Sequence, residues 1–238
     1  MSGETTFTWK GRLGPFDLVL SPNTFPPSSV SLLLGEALEV RKGDTVIDMG
    51  CGSGVLAIIA AKLGAGRVFG VDAAPDTEEI AALNARRLGV ADRTQFLQGN
   101  LFDPLPDDLK ADVIIGDVSG IPDAFARVSG WFPSGRGGGP HGSELPIRML
   151  EEALNWLKPK GRLLLPTGSI QDENAILRRA RSLYDKLTEL VERRFPIPTQ
   201  LADTEELRQL IADGVVNLAR RGSRLIWSAR VWECSPSR

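Results

Sequence analysis

The chain has 238 residues, a formal net charge of −2, 42% hydrophobic residues, one His and two Cys. That is enough chain for one α/β domain with a sizeable core, and no apolar run approaches the roughly 20 residues of a membrane span. The near-neutral balance gives no electrostatic reason to expect nucleic acid as a partner, and the His and Cys counts leave no ligand set for a metal cluster. The widely separated Cys51 and Cys234 predict no disulfide framework, and residues 1–10 lack the basic and apolar regions of a secretion signal. Together these favour a reducing, cytoplasmic setting.

The elements are taken in chain order. Over residues 1–26, Phe7 and Trp9, then Phe16, Leu18 and Leu20, alternate with polar residues around Gly11, Gly14 and Pro15, which predicts a short hairpin. A helix is expected over Val30–Leu38. The apolar run Thr45–Ile47 reads as a buried strand, followed by the turn Asp48–Gly54 and a helix over Val55–Leu63. A second strand, Arg67–Val71, ends at Asp72. The helix after Pro75 runs to Arg87, with Asp76, Glu78 and Glu79 complementing the positive end of its dipole. Thr94–Leu97 and Ala111–Asp117 are the third and fourth strands. Between Ile121 and Ser143 lies a glycine-rich loop, long enough to be functional. A helix over Ile147–Leu157, a strand over Arg162–Pro166 and a helix over Asp172–Lys186 follow. Arg178, Arg179 and Arg181 on that last helix are expected to face solvent. Leu187–Phe195 and Arg224–Trp232 are the last two strands, separated by residues 198–222 with a helix over Thr204–Ala212.

Strand, glycine turn and helix form the layout of a nucleotide-binding unit, whose helix start offers free N–H groups to a polar ligand. The glycines alternate as Gly50-x-Gly52-x-Gly54 and not as the dinucleotide pattern G-x-G-x-x-G. Asp48, two residues before the first glycine, suits the ammonium of an amino acid better than a pyrophosphate. Asp72 stands where an acid takes the hydroxyls of a ribose.

The pattern Asp48-x-Gly50-Cys51-Gly52-Ser53-Gly54 resembles the first motif of class I S-adenosyl-L-methionine (SAM) methyltransferases. The likeness continues through Leu56-Ala57-Ile58, Lys62–Ala65 and Val68–Asp72 to Asn84-Ala85 and Gly89-Val90. It is closest to the ribosomal-protein methyltransferases that modify large-subunit lysines, and covers about residues 22–166. It implies an α/β, Rossmann-like sheet of seven strands, mostly parallel with an antiparallel seventh, and helices on both faces. The whole chain, 1–238, is then a single methyltransferase domain. Residues 1–30 make a hairpin and cofactor-covering segment, and 198–222 form an inserted lid.

The resemblance also implies the cofactor, SAM, with S-adenosyl-L-homocysteine as product, and a cofactor set of Asp48, Gly50, Cys51, Gly52, Gly54, Asp72, Asn100, Asp117, Ser28 and Ser29. Pro27-Ser28-Ser29 resembles a Pro-Thr-Thr segment that encloses the methionine end of the cofactor; a plain helix N-cap is the alternative. Asn100 matches an adenine acceptor that is commonly Asp, with Asp103 as rival. Asp117 matches the first position of the Asn-Pro-Pro-Tyr or Asp-Pro-Pro-Tyr motif of the glutamine-amide and exocyclic-amine methyltransferases. Both prolines and the aromatic are missing from Asp117-Val118-Ser119-Gly120, which removes the main support for amide or base methylation. Gly138-Gly139-Pro140-His141-Gly142 resembles the glutamine-amide family's Gly-Gly-x-Asp-Gly, with His141 for Asp.

Asp117, His141 and Ser119 are therefore the candidates to orient or deprotonate the acceptor, a nitrogen or oxygen nucleophile on a protein or small molecule. Arg220, Arg221 and Arg224 either meet an acidic substrate or end a solvated helix. The alternative of another class is a SAM-binding sensor or scaffold without catalysis. Neither membrane nor nucleic acid is expected as a partner, and oligomeric state is not legible.

Overall fold

Residue-by-residue alternation divides the apolar residues between two cores. Val113 and Ile115 join one buried cluster with Leu56 and Ala81, while Ile114 joins another with Met149 and Ile176. A strand with apolar side chains on both faces must be covered twice, which is the signature of an interior parallel sheet. The computed structural model describes residues 5–131 and 137–236.

Two short strands, β1 (Thr5–Trp9) and β2 (Phe16–Leu20), pair antiparallel as a separate hairpin. The main sheet holds β3 (Thr45–Met49), β4 (Arg67–Asp72), β5 (Thr94–Gln98), β6 (Ala111–Gly116), β7 (Leu157–Gly168), β8 (Lys186–Pro196), β9 (Ala219–Arg221) and β10 (Arg224–Ser235). Its order is β5-β4-β3-β6-β7-β10-β8, with β9 added to β10. β3 to β7 are parallel, and β10 runs antiparallel to both neighbours. Helices α1 (Ser29–Ala37), α2 (Val55–Leu63) and α3 (Thr77–Arg87) cover one face; α5 (Glu144–Ala153) and α6 (Glu173–Leu183) cover the other. The expected Rossmann-like sheet is thus present, with the short β9 as an eighth strand. No described helix is long and apolar enough to cross a membrane.

Three expectations need correction. The loop between Ile121 and Ser143 contains a helix, α4 (Asp123–Ser129), whose Phe125 and Ala126 are buried; flanking proline and glycines mask its short period. Residues 132–136 of that stretch lie outside the described residues. The helix placed at Ile147–Leu157 runs earlier, from Glu144 to Ala153, and Leu157 already pairs with Ala111. Register then shifts so that Val113 meets Arg162, which makes Lys158–Gly161 a bulge inside β7 and not a break before it. The insertion holds two helices, α7 (Thr199–Ala202) and α8 (Glu205–Ala212), besides β9. Leu201, Leu207 and Leu210 bury it in the core cluster that contains Phe125.

Chain order puts the sheet's switch point between β3 and β6. From β3 the chain builds outward to β5, then returns to β6 on the other side of β3. Ligands of open α/β sheets bind at the strand ends beside such a point. A buried side chain ties the second strand of the hairpin to this region. Asn84, fully buried on α3, accepts from Val19 N (2.8 Å) and donates to Val19 O (2.9 Å) and Ser53 O (3.0 Å). It fastens β2 to the glycine turn. Asn84→Ala strands three buried backbone groups, and we expect a loss of about 2–4 kcal/mol in urea unfolding. A loss under about 0.5 kcal/mol would show that water replaces the clamp.

Candidate functional site

The turn after β3 exists because its backbone takes conformations open mainly to glycine. Gly50, Gly52 and Gly54 have φ of +82°, +48° and +82°. At Gly50 space is also decisive, since a Cβ would lie 2.3 Å from the carbonyl oxygen of Asp117. Gly50 N and Cys51 N both donate to Val71 O, at 2.8 and 3.0 Å. Asp72 closes the turn: its Oδ2 accepts from Gly52 N and its Oδ1 from Ala74 N, both at 2.9 Å. One carboxylate therefore fixes two neighbouring strand-to-helix turns and keeps lone pairs facing the space between them.

A cavity of about 1190 Å³ opens over these strand ends. Most of the expected residues meet in its wall: Gly50, Cys51 and Gly52 from the turn, Asp72 from β4, Asn100 after β5, and Asp117 and Ser119 after β6. Ser28 and Ser29 face it from the start of α1. Asn100 donates to Asp103 at 3.1 Å, so the two rival adenine acceptors are neighbours, with Asn100 in the wall. Ser28 is an N-cap. Its Oγ accepts from Val30 N and Ser31 N at 3.1 and 3.2 Å, and Ser31 Oγ reciprocates by accepting from Ser28 N at 3.2 Å.

Ser31 is the residue that motif matching missed. Its hydroxyl donates to Asp117 Oδ2 at 2.7 Å and docks α1 onto the end of β6. The Ser28-x-x-Ser31 spacing was the available signal. Asp117 is only half exposed, and burial pushes its carboxyl up to about 6, against the lowering effect of the Ser31 hydrogen bond; the Asp72 charge adds to the rise. Its charge is thus carried at neutral pH in a poorly solvated wall.

Three expected residues lie elsewhere. Asp48 is fully buried behind the turn and does not line the cavity. Gly54, the N-cap of α2, has no side chain, and Asp48 Oδ2 accepts from Ala57 N (2.9 Å) in its place. Burial raises the Asp48 carboxyl well above the usual range, and the Asp117 charge raises it further. Gly54 stands just behind the wall, where a Cβ would touch Ala81 and Phe96. His141 is exposed outside the wall, its Nδ1 2.6 Å from Glu144 Oε1. Cys51 belongs to the wall but is almost wholly buried; burial first, then the Asp48 and Asp72 charges, push its thiol well up, so it stays protonated. Of the insertion only Pro198 lines the cavity, and Arg220, Arg221 and Arg224 are exposed on the β9–β10 hairpin.

Comparison with known proteins agrees with this geometry. Residues 40–214 match a family described as a methyltransferase domain. The chain belongs to that family, a family of enzymes. A ribosomal protein L11 methyltransferase from Enterobacter sp. (strain 638) is 41% identical over 101 residues, 42% of this chain and 33% of the relative. The match thus spans about a third of that relative's length. Among solved structures, a ribosomal protein L11 methylase from Lactobacillus delbrueckii subsp. bulgaricus aligns with TM-score 0.56 at 18% identity, over 91% of this chain and 84% of the other. A T. thermophilus 16S rRNA N2 G1207 methyltransferase, solved with AdoMet and guanosine, aligns with TM-score 0.64 at 15% identity, over 99% of this chain and 51% of the other. These establish the class I methyltransferase fold. The expectation against nucleic acid is not borne out, since a neighbour of the same fold is named for an rRNA substrate.

The raised Asp117 carboxyl has a stability consequence with a definite sign. In the unfolded chain it ionises near 4, in the folded chain at about 6. Its contribution to stability is full below pH 4 and lost as pH rises through about 6. The full linkage is about 3 kcal/mol, and partial exposure reduces it to about 1–2 kcal/mol. Asp117→Asn, which keeps an acceptor for Ser31, should therefore stabilise the protein by about 1–2 kcal/mol at pH 7.5 and hardly at all at pH 4.5, read by urea unfolding. An equal effect at both pH values would deny the buried charge.

Proposed function

We propose that this chain transfers a methyl group from SAM to a nitrogen or oxygen nucleophile on a protein or small-molecule acceptor, with S-adenosyl-L-homocysteine as product. The observation that carries the reading is the pair of carboxylates, Asp72 and Asp117, in one cavity wall beside a glycine turn with open backbone. The chemistry of the wall fits the cofactor. Asp72 retains lone pairs for two ribose hydroxyls, Asn100 offers an amide oxygen for the adenine amino group, and Asp117 offers a negative charge to the cationic methionine end. Asp48 acts in this reading through the turn, as the cap of α2, and Ser28 through α1. When bound, the cofactor supplies a sulfonium methyl for in-line displacement.

The protein's part is positioning and desolvation. Positioning a nucleophile can supply about 7–11 kcal/mol of the barrier. Asp117 is placed to orient the acceptor and to take its proton. Without ligand its carboxyl is pushed up to about 6 by burial, and a cation beside it favours the ionised form that accepts a proton. We assign that role to Asp117 in preference to His141, which stands outside the wall, and give Ser119 an orienting role. Phe25 and Pro26, ahead of α1, exclude water from the cofactor end. The relatives' acceptor, ribosomal protein L11, is one candidate protein substrate; the fold neighbour named for rRNA makes RNA a second class to test.

Calorimetric titration with SAM tests the cofactor half. A cationic ligand favours the ionised carboxylate, so wild-type affinity should fall as pH drops below about 6. Asp117→Asn should bind more weakly and without that pH dependence. Asp72→Ala should lose at least about tenfold, because charge-assisted hydrogen bonds to a sugar are worth about 1.5–3 kcal/mol. Undiminished binding by Asp72→Ala would remove the cofactor assignment. Labelled methyl transfer into separated protein, RNA and metabolite pools tests catalysis, and binding without transfer to any pool would point to a SAM-binding sensor or scaffold.

A further inference from the structure

Part of the cavity lining has a different character from the glycine turn and its carboxylates. It comprises Trp131, Phe195, Pro196 and Trp227, with Ile170 and Pro166. The rings are braced. Phe195 and Trp227 lie 5.3 Å apart at 36°, and Trp131 meets Phe125 edge-on at 5.5 Å and 89°. Among the described residues no Lys, Arg, His or Glu lines the cavity, and Asp72 and Asp117 are the acids that do.

Two polar side chains, Gln171 and Ser119, share this wall. Gln171, in the turn between β7 and α6, is 6% exposed and faces the cavity. Its backbone is fixed, with Gln171 N donating to Gly168 O at 3.2 Å and Gln171 O accepting from Glu173 N at 2.7 Å. Its side chain lies flat on Gly120, where a Cβ would come within 2.1 Å of Gln171 Oε1. Gly120 thus makes the room that lets the amide reach the cavity. Ser119, next to that glycine, lines the same cavity, and its hydroxyl oxygen is buried with no hydrogen-bond partner. Buried polar groups are paired in native proteins as a strong rule. An unpaired hydroxyl beside a buried amide on one wall therefore points to a ligand that pairs with them.

We infer that Gln171 and Ser119 form an acceptor subsite for a neutral, planar heteroaromatic ring carrying a hydrogen-bond donor next to an acceptor, as in a cyclic amide or a nucleobase. This rests on the methyltransferase reading of the cavity. A primary amide has one donor edge and one acceptor edge and pairs both with such a ring edge. The braced aromatic rings provide faces for stacking. A lysine ammonium, all donor, would satisfy the two oxygens but leave the N–H edge of the amide without an acceptor. A site built to hydrogen-bond its substrate rejects analogues that lack the matching groups far more strongly than an apolar pocket rejects a missing methylene.

The test uses the full chain saturated with S-adenosyl-L-homocysteine, with tryptophan fluorescence and calorimetry as readouts. Quinolin-2-one carries ring and edge, naphthalene the ring alone, and Nα-acetyl-lysine amide a cation without a ring. Quinolin-2-one should bind at least about tenfold more tightly than either. Gln171→Leu should abolish its advantage over naphthalene, and Gln171→Glu, which loses the donor edge, should weaken it, both with SAM affinity unchanged. Ser119→Ala should weaken it by a smaller factor. Tighter binding of the lysine amide, or an undiminished preference in Gln171→Leu, overturns the subsite. Failure of wild-type protein to bind SAM overturns the methyltransferase reading instead, so the two failures are separable. Free uridine against a uridine-containing hexanucleotide separates the two sources of such a ring: a tighter hexanucleotide assigns a base in RNA, and equal binding assigns a free small molecule.

Discussion

The contact on which the site depends is the approach of the Gly50 backbone to the carbonyl of Asp117. The ends of β3 and β6 converge there with no room for a Cβ between them. Because this is the switch point of the sheet, the chain diverges on either side, and the cavity is the space that divergence leaves. A side chain at position 50 would push β6 away and take Asp117 with it. Asp117 is also the point to which α1 is fastened through Ser31, so that helix would lose its anchor in the same step. One glycine thereby fixes the width of the cavity and the position of α1.

The same convergence concentrates negative charge. Asp48, Asp72 and Asp117 gather about a single turn, and no basic side chain lines the cavity among the described residues. Asp72 spends both oxygens on backbone N–H groups. Asp117 has only a hydroxyl partner and is pushed up to about 6. Asp48 is buried deepest; one oxygen caps α2 and the other has no partner. This arrangement costs stability in the empty protein and favours a cation in the cavity. Like charges held in one wall are tolerated where a ligand supplies the missing sign.

Which parts of this were legible in the sequence follows from the range over which each signal acts. The glycine turn, Asp72 and Asp117 are legible because each is local: a strand end, a residue type and a conformation available mainly to glycine. Asp48 was found but given a ligand contact, since sequence order says that it precedes the turn and not that it points behind it. His141 drew notice as the only histidine, yet its pairing with Glu144 satisfies it outside the wall. Asn84 and Ser31 act on partners 65 and 86 residues away, so nothing in their own surroundings separates them from a mid-helix Asn or a capping Ser. The helix α4 escaped because its period spans barely two turns between glycines.

Gln171 was invisible for a further reason, and it shows what a motif leaves out. In Gly168-Ser169-Ile170-Gln171-Asp172 it reads as a turn residue before a helix, and its burial is known only once β6 and β7 lie side by side. The loss of the Pro-Pro-Tyr residues after Asp117 reads in sequence as the decay of an acceptor site. In three dimensions the same segment brings Ser119 to the wall and, through Gly120, clears the way for an amide from the turn after the neighbouring strand. A tyrosine that stacks on the acceptor is absent from this loop, but Trp131 and Trp227 supply aromatic faces from elsewhere in the chain. On the proposed reading the acceptor end is rebuilt from other elements, while the proposed cofactor end keeps the local pattern that made it legible.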